Sequence, residues 1–337
     1  MKQVKKVVPL LVLGALLAGC GGGGDTADTG DAAQPEATNR SAEPETTELS
    51  VGFVPNNDAA PLLYAVEQGY FEEEGLTVTP RSVAGGAAGI PAILAGEDDI
   101  GLGNLFSLLQ AREGGAPLVA LNPMFTIAED TTTIMAGPNS PYKTVEELEG
   151  QQVTLAINTL GNIGELMTRN AWEGAGLDWS NVRPVQIPFP EMAPALERGD
   201  VDLAWLVDPF GTPAKARGFV TVIDTAFTEA PMEEGMPTGV PVTTETFVEN
   251  NPETVKRFMR AMIKAGEELN EDREALNQTV AAYSGQPVES LEQFTFGAYA
   301  PEVNREALEE LARLALEFEI VQEEHPLDEW FVEVETE

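Results

Sequence analysis

The chain has 337 residues, a formal net charge of −37 at pH 7 and a single cysteine, and 43% of its residues are apolar. This length and apolar content predict a globular body with more than one hydrophobic core. The excess of carboxylates repels nucleic-acid phosphates and anionic lipid headgroups, which argues against both as binding partners.

The N-terminus carries the pattern of an export signal. Three lysines precede an apolar stretch, residues 7–17, that is too short to span a bilayer as a mature helix. The next residues, Leu17-Ala18-Gly19-Cys20, resemble the cleavage motif of bacterial lipoproteins. We therefore predict a signal peptide over residues 1–19, a lipid on Cys20, and a membrane-anchored protein on the extracytoplasmic face. An ordinary secretory signal with an incidental cysteine is the alternative.

Residues 20–46 are predicted to form a flexible acidic tether. Four glycines follow Cys20, and the rest of the segment is rich in Thr, Ala, Asp, Glu and Pro, a composition that does not bury a core. Because Cys20 is the only cysteine, the folded body is expected to hold together by packing without an internal disulfide.

From residue 48 onward, short apolar strands alternate with helices, which predicts a parallel α/β sheet. The predicted strands cover residues 49–54, 76–80, 100–103 and 118–121, and the predicted helices cover 59–68, 86–94 and 105–112. A further strand over 131–136 is expected to leave this first lobe.

A second α/β series follows. Thr144 to Glu147 is a capping box that opens a short helix ending at Gly150. Strands are predicted over 153–157, 182–187, 203–206 and 219–222, with a helix over 164–172, and residues 240–244 are predicted as a return strand.

The remainder of the chain is predicted to be helical. Asn251 and Pro252 suit the start of a helix. Two apolar stripes at helical spacing are interpreted as core packing and not as ligand contacts; they are Val255, Phe258, Met259, Met262 and Ile263, and then Leu308, Leu311, Ala312, Ala315 and Phe318.

One segment occurs twice. Residues 92–101 match residues 195–204, and each copy has a helix end, a glycine, an acidic turn and the start of a strand. Two copies in successive series predict two similar lobes with a ligand cleft between them. We assign residues 47–135 and 240–337 to lobe 1 and residues 136–239 to lobe 2, and expect a hinge in the strands near 133–136 and 240–244.

Several motifs together resemble one family. They are the helix end and turn at Gly69-Tyr70-Phe71, the acidic step into Gly75-Leu76, the segment 199–204, and Asp208-Pro209-Phe210. The combination is similar to the periplasmic substrate-binding proteins of ABC importers for nitrate, taurine, aliphatic sulfonates and thiamine-pyrimidine precursors. The resemblance implies an α/β protein of the type II periplasmic-binding-protein fold, with two lobes joined by crossing strands. It also implies a monomer that binds a small molecule without a cofactor and docks on a membrane permease.

Ligands of parallel α/β sheets bind at the carboxyl ends of the strands, where helix N-termini present free N–H groups. The loops at those positions supply the predicted ligand-binding residues, which are Asn56, Asn57, Asp58, Gly85, Gly86, Asn104, Leu105, Thr159, Gly161, Asn162, Trp205 and Asp208. Turn formation, helix capping and packing between the lobes are the alternative roles for these residues.

The charges in these loops favour a neutral or cationic ligand. The loops contain no Arg or Lys, and the nearest cation in sequence is Arg81. Asp58 and Asp208 would oppose a buried anion. Sulfonate-binding relatives tend to carry serines where this chain has Thr159 and asparagines. We therefore expect a pyrimidine or an amine first, and a sulfonate, taurine or nitrate next.

Two other classes of function remain as alternatives. The wider superfamily includes a pyrimidine synthase that depends on histidine and pyridoxal, but His325 is the only histidine here and lies in the tail. With Cys20 lipidated, no Cys–His pair and no His-rich metal site can form. A structural or adhesion protein would show repeats or a β-rich body, and neither is visible. A catalytic pair of carboxylates stays open as an alternative because acidic residues are abundant, although their spacing singles out no pair. We expect binding without catalysis.

Overall fold

The computed structural model describes residues 43–126, 131–225, 237–294, 296–299, 303–317 and 319–336. These residues belong to one compact unit. The predicted signal peptide, Cys20 and nearly all of the predicted tether lie outside the described residues. Within the described part, no helix is long and apolar enough to cross a membrane.

Strands in the described part follow the predicted series closely. They are β1 (Glu48–Phe53), β2 (Thr77–Ser82), β3 (Ile100–Gly103), β4 (Leu118–Ala120), β5 (Phe125–Thr126), β6 (Thr132–Ala136), β7 (Val153–Ile157), β8 (Val182–Gln186), β9 (Leu203–Val207), β10 (Val220–Asp224) and β11 (Pro237–Thr244).

Helices cover the intervening segments and the tail. They are α1 (Ala60–Gln68), α2 (Tyr70–Glu73), α3 (Gly86–Ala95), α4 (Leu105–Glu113), α5 (Ile163–Gly174), α6 (Phe189–Arg198), α7 (Gly211–Ala216), α8 (Glu245–Asn250), α9 (Pro252–Glu271), α10 (Arg273–Ser284), α11 (Val288–Leu291), α12 (Arg305–Glu317) and α13 (Leu327–Trp330). Short 3₁₀ turns cover Asn57–Ala59, Val145–Leu148 and Trp179–Asn181.

The strands form two sheets, one in each lobe. The first has the order β2-β1-β3-β11-β4, with β5 paired to β11, and the second has the order β10-β6-β9-β7-β8. In the first sheet β1 runs parallel to β2 and β3, whereas β11 returns antiparallel between β3 and β4. In the second sheet β7 runs parallel to β8 and β9, and β6 is antiparallel to β9.

The segments that connect the two sheets do not coincide with the predicted boundaries of the lobes. β6 pairs entirely within the second sheet, although the boundary after residue 135 assigned most of it to lobe 1. The return strand β11 pairs entirely within the first sheet. The chain therefore changes lobe between residues 126 and 132 and again between 224 and 237, and the segments 127–130 and 226–236 lie outside the described residues.

The repeated segment forms the same local structure in both lobes. α3 and α6 each end at a left-handed glycine, Gly96 with φ 69° and Gly199 with φ 72°. The positive φ suits glycine because it has no Cβ to clash. After each helix an aspartate ties the loop to a strand: Asp99 Oδ2 accepts the Ser50 N–H, and Asp202 Oδ2 accepts the Thr154 N–H, both at 2.8 Å.

The tail packs onto lobe 1 through the predicted apolar stripes. In α9, Val255, Phe258, Met259 and Met262 are buried, and the Phe258 ring stacks on Phe71 with centroids 5.4 Å apart. The second stripe is buried through Leu308, Leu311 and Ala315, whereas Ala312 is half-buried and the side chain of Phe318 lies outside the described residues.

The C-terminal segment extends the first sheet and depends on one asparagine. The Asn122 side chain donates to the Val334 carbonyl at 3.1 Å and accepts the Val334 N–H at 2.7 Å. Both residues are buried.

Asn122→Ala is expected to lower the free energy of unfolding by about 2–4 kcal/mol. It leaves two buried backbone groups of Val334 without a partner, at ~1–3 kcal/mol each. Urea denaturation measures the change. Asn181→Ala, which removes an exposed hydrogen bond to Gln152, is the control and should cost less than about 0.5 kcal/mol. Equal effects of the two substitutions would refute this role for Asn122.

Candidate functional site

A cavity of about 60 Å³ lies between the carboxyl ends of the strands of the two sheets. Both lobes contribute to its lining, which consists of Val54, Asn56, Asn57, Asp58, Gly86, Leu102, Gly103, Asn104, Phe125, Thr131, Thr132, Asn158, Asn162, Ile163, Met167, Phe189, Trp205, Val207, Asp208 and Thr238.

The structure brings together most of the sequence-predicted site residues in this lining. The eight that line the cavity are Asn56, Asn57, Asp58, Gly86, Asn104, Asn162, Trp205 and Asp208. The other four lie outside the lining for two reasons. Leu105 comes directly after Asn104, and its side chain packs into the core. Gly85, Thr159 and Gly161 lie beside the cavity and face the opposite lobe.

The loop after β1 forms one wall of the cavity and is held from behind by the tail. The Tyr283 hydroxyl donates to the Asn56 carbonyl at 2.8 Å, and the Tyr299 hydroxyl donates to the Asn57 carbonyl at 3.0 Å. The 3₁₀ turn that starts at Asn57 runs directly into α1. These contacts fix the backbone of the loop, so its side chains are presented from a rigid base.

Two side-chain oxygens of this loop have unused hydrogen-bonding capacity. Asn56 uses its Nδ2 to donate to Asp58 Oδ2 at 3.3 Å, and this hydrogen bond does not involve Asn56 Oδ1. Asn56 Oδ1 and Asn57 Oδ1 are buried and have no hydrogen-bond partner among the described residues. A buried acceptor without a donor is costly, so this wall favours a ligand that donates hydrogen bonds.

Asp58 adds a carboxylate to the same wall. Burial raises the pKa of Asp58 from 3.8 to about 7, and the hydrogen bond from Asn56 opposes this rise only in part. Asp58 is half-buried and belongs to the lining of the cavity. Gly239 on β11 lies against the other side of the carboxylate, where a Cβ would come within 2.9 Å of it. At neutral pH the carboxyl group is therefore ionised less readily than an ordinary aspartate.

Three helix N-termini also border the cavity. Gly86 opens α3, Asn104 caps α4 by accepting the Ser107 N–H at 3.0 Å, and Asn162 caps α5 by accepting the Glu165 N–H at 3.2 Å. Asn162 Nδ2 donates to Asn158 Oδ1 at 2.7 Å. The caps satisfy part of each helix end, and the remaining partial positive charge of the three helices favours electron-rich atoms nearby.

The wall in lobe 2 is aromatic. Phe189 lies 5.7 Å from Trp205 and stacks on Phe210 at 6.0 Å, measured between ring centroids. Trp205 is only 3% exposed, and its Nε1 donates to Thr225 Oγ1 at 3.2 Å. This wall suits a flat ring or the apolar face of a cation.

Asp208 is the second carboxylate of the lining and is 2% exposed. It accepts hydrogen bonds from the Thr212 N–H at 2.8 Å and the Thr212 hydroxyl at 2.9 Å, which ties it to the start of α7. Asp208 therefore stabilises its own loop and also supplies a carboxyl group to the lining of the cavity.

No Lys, Arg or His belongs to the described lining of this cavity. Arg81, the nearest cation in sequence, pairs with the buried Asp98 instead. His325 lies in the tail, where its carbonyl accepts the Trp330 indole N–H at 2.9 Å. In the part of the chain that the structure describes, no group of three or more His, Cys, Asp or Glu could hold a metal ion.

Several lining residues were not predicted. Phe189 lies at the carboxyl end of β8, so the strand-end rule could have found it if the start of α6 had been predicted there. Thr131, Thr132 and Thr238 lie where the chain passes between the lobes, and Met167 lies one turn after Ile163 on α5. These positions depend on tertiary packing and have no distinctive local pattern.

Two α/β lobes that enclose a small cavity at the carboxyl ends of their strands define the periplasmic-binding-protein fold, as expected from the sequence. The chain belongs to the NMT1/THI5-like family, whose sequence profile matches residues 56–275.

The chain is also similar to individual curated proteins. The chain is 29% identical over 245 residues to the nitrate import ATP-binding protein NrtC of Synechococcus elongatus, a match that covers 67% of this chain and 36% of the relative. It thus spans about a third of the length of the curated relatives that it matches first.

Among solved structures, the alkanesulfonate-binding protein SsuA from Xanthomonas axonopodis pv. citri bound to MOPS matches with a TM-score of 0.72 and 17% identity, covering 86% of this chain and 99% of SsuA. The periplasmic nitrate-binding protein NrtA from Synechocystis PCC 6803 matches with a TM-score of 0.68 and 16% identity, covering 83% of each chain. At these identities the likeness establishes the fold.

Proposed function

We propose that this protein is the extracytoplasmic solute-binding receptor of an ABC importer. It captures a small organic molecule by closing its lobes and delivers it to the permease. The family assignment and the named roles of the relatives in nitrate import and alkanesulfonate binding support this role. The receptor acts as a monomer, and the lipid on Cys20 keeps it near the permease.

The favoured ligand is a small neutral or cationic molecule with N–H donors, such as an aminopyrimidine or an amine. The observation that carries this proposal is the acceptor-rich wall of the cavity. Asn56 and Asn57 each offer an unpartnered oxygen, and Asp58 adds a carboxylate beside them. A protonated amine has three N–H donors, one for each of these groups, and an amino group has two, whereas nitrate and a deprotonated sulfonate only accept hydrogen bonds.

A sulfonate or nitrate is the second candidate, and a different observation favours it. The N-termini of α3, α4 and α5 converge on the cavity, and helix N-termini favour anions. Taurine carries both an amine and a sulfonate, so it would use the acceptor wall and the helix ends together.

Binding is favoured over catalysis by the positions of the reactive side chains. His325 lies in the tail and is not part of the cavity lining. The described lining contains carboxylates and amides, Asp58 among them, but no histidine, cysteine or lysine. A pyrimidine-synthase-like enzyme would need such groups around its substrate.

Calorimetry on the full chain tests the ligand class with 4-aminopyrimidine, ethylamine, taurine, methanesulfonate and nitrate. We expect an amino compound to bind with a Kd of about 1 µM or below, and Asp58→Asn to weaken this binding at least about tenfold, ~1.4 kcal/mol. Asp200→Asn is the matched control, because Asp200 pairs with Arg198 on the surface of lobe 2.

Binding of methanesulfonate or nitrate without a response to any amine would contradict the favoured ligand and support the second candidate. Conversion of a bound compound to a product would contradict the receptor role itself.

A further inference from the structure

The lobes touch each other directly at a second place, beside the cavity. The Asn158 side chain in lobe 2 donates to the Ala84 carbonyl in lobe 1 at 3.2 Å. The Ser107 hydroxyl in lobe 1 donates to the Gly161 carbonyl in lobe 2 at 3.4 Å. Except for Asn158, these residues do not line the cavity. The contact therefore borders the cavity at Asn158 and otherwise joins the lobes outside it.

Gly85 is the tightest point of this contact. A Cβ built on Gly85 would lie 2.4 Å from Thr159 Oγ1, 2.8 Å from Thr159 Cγ2 and 2.7 Å from Asn158 Nδ2. Real Cβ contacts essentially never fall below 3.0 Å. The φ of Gly85 is 177°, an extended backbone that any residue adopts. Glycine is therefore needed here for the close approach of the lobes and not for the backbone conformation.

Thr159 supplies the opposing surface. It is 2% exposed, and its hydroxyl has no hydrogen-bond partner among the described residues. The Thr159 side chain thus packs against Gly85 without a hydrogen bond. Substituting Thr159 by alanine would therefore break no side-chain hydrogen bond.

We propose that Gly85 and Thr159 form an inter-lobe clasp that sets how far the lobes close. They are positioning residues that act on ligand affinity through closure without touching the ligand. This inference rests on the proposed capture of a ligand by closing lobes. A side chain at position 85 would clash in the closed arrangement and lie in solvent in an open one, so it would shift the population toward the open state. Affinity falls in proportion to the fraction of chains that can close.

Disulfide trapping tests the clasp without any ligand. Cys20→Ser leaves the full chain free of cysteine, so Gly85→Cys/Thr159→Cys introduces one possible pair. The contacts above place the two β-carbons within about 4 Å, in the range for a disulfide. Thr159→Cys removes the Oγ1 and Cγ2 atoms that a Cβ at position 85 would meet, so this pair can approach without the clash of the single substitution. We expect it to cross-link at least tenfold faster than Gly89→Cys/Thr159→Cys, because Gly89 lies further along α3 with Val83 of its own lobe as its nearest neighbour. Equal rates for the two pairs would overturn the proposal.

Hydrogen exchange measures the effect of a single methyl group on closure. In the full chain without ligand, Gly85→Ala should speed amide exchange about tenfold in the segments 84–88 and 158–163, with an unchanged melting temperature. Adding Thr159→Ala should restore most of the protection, since it removes two of the three clashing atoms. Gly89→Ala, with its nearest neighbour at 3.6 Å, should leave the exchange unchanged.

If the amide exchange rates of Gly85→Ala equal those of wild type in these segments, the contact does not control closure and the clasp is refuted. Both measurements are free of ligand, so their outcome is independent of the calorimetric panel. A failure of every panel compound would count against the proposed function while leaving these results intact.

Discussion

Asp58→Asn is expected to stabilise the ligand-free protein at pH 8 while it weakens ligand binding. The pKa of Asp58 is raised to about 7 by burial, against 3.8 for an ordinary aspartate. Holding this carboxylate ionised in the folded state therefore costs free energy at neutral and alkaline pH. The difference in pKa corresponds to an upper limit of about 4 kcal/mol, which access to water from the cavity lowers.

The direction of the pH dependence follows from proton binding. Between about pH 4 and pH 7 the folded state holds a proton on Asp58 that the unfolded state has released. The contribution of Asp58 to the free energy of unfolding is therefore largest below about pH 4 and falls as the pH rises from 4 to 7. Above about pH 7 it stays at its lowest value. Asparagine does not titrate, so the advantage of Asp58→Asn should grow from pH 5 to pH 7 and then level off.

Urea denaturation of the ligand-free chain at pH 5.5, 7 and 8 measures this difference. The control is Asp200→Asn, which removes a charge from an exposed ion pair with Arg198 and should change stability by less than about 1 kcal/mol at any of these values. A difference between Asp58→Asn and wild type that stays constant with pH would show that Asp58 is ionised normally in the folded state.

The free-energy cost of ionising Asp58 in the cavity wall affects ligand binding. A cationic ligand beside Asp58 would favour the ionised carboxylate and recover part of the free energy that burial costs. Closure around the ligand and ionisation of Asp58 would then support each other, and affinity for an amine would rise as the pH approaches 7.

The strand order and the main site loops were predictable because they follow from local patterns. β3 and β7 have the predicted bounds, since each is a short apolar run between a glycine or acidic turn and a polar loop. The strand-end rule then located the polar residues of the cavity in both lobes, among them Asp58, Asn104 and Asn162.

Distances between the lobes were not predictable in the same way. Gly85, Thr159 and Gly161 lie at strand ends as the rule requires, yet they face the other lobe. Sequence spacing places a residue on a loop but does not say whether ligand or protein lies opposite it. The same holds for Leu105, where a shift of one residue from Asn104 turns the side chain from the cavity into the core.

Gly164→Ala is expected to lower ligand affinity at least about tenfold by displacing Trp205, ~1.4 kcal/mol. Gly164 lies in the first turn of α5, and a Cβ there would come within 2.3 Å and 2.4 Å of Trp205 Cζ3 and Cε3. Phe189 packs beside the indole and Thr225 accepts its N–H, so we expect the ring to be displaced toward the cavity that it lines. Calorimetry with the compound that wild type binds measures the loss.

The stability of the same variant separates the two effects of the methyl group. Alanine favours a helix over glycine by ~1 kcal/mol, whereas overpacking a core costs about 1–3 kcal/mol. Overpacking should therefore dominate and lower the melting temperature of Gly164→Ala, while Gly89→Ala, a helical glycine with room for a methyl group, should not lower it. Adding Trp205→Phe to Gly164→Ala should recover stability, since the smaller ring relieves the clash. If Gly164→Ala binds the ligand with wild-type affinity, the position of Trp205 does not determine ligand binding. Any preference of the cavity for a flat ring would then come from Phe189.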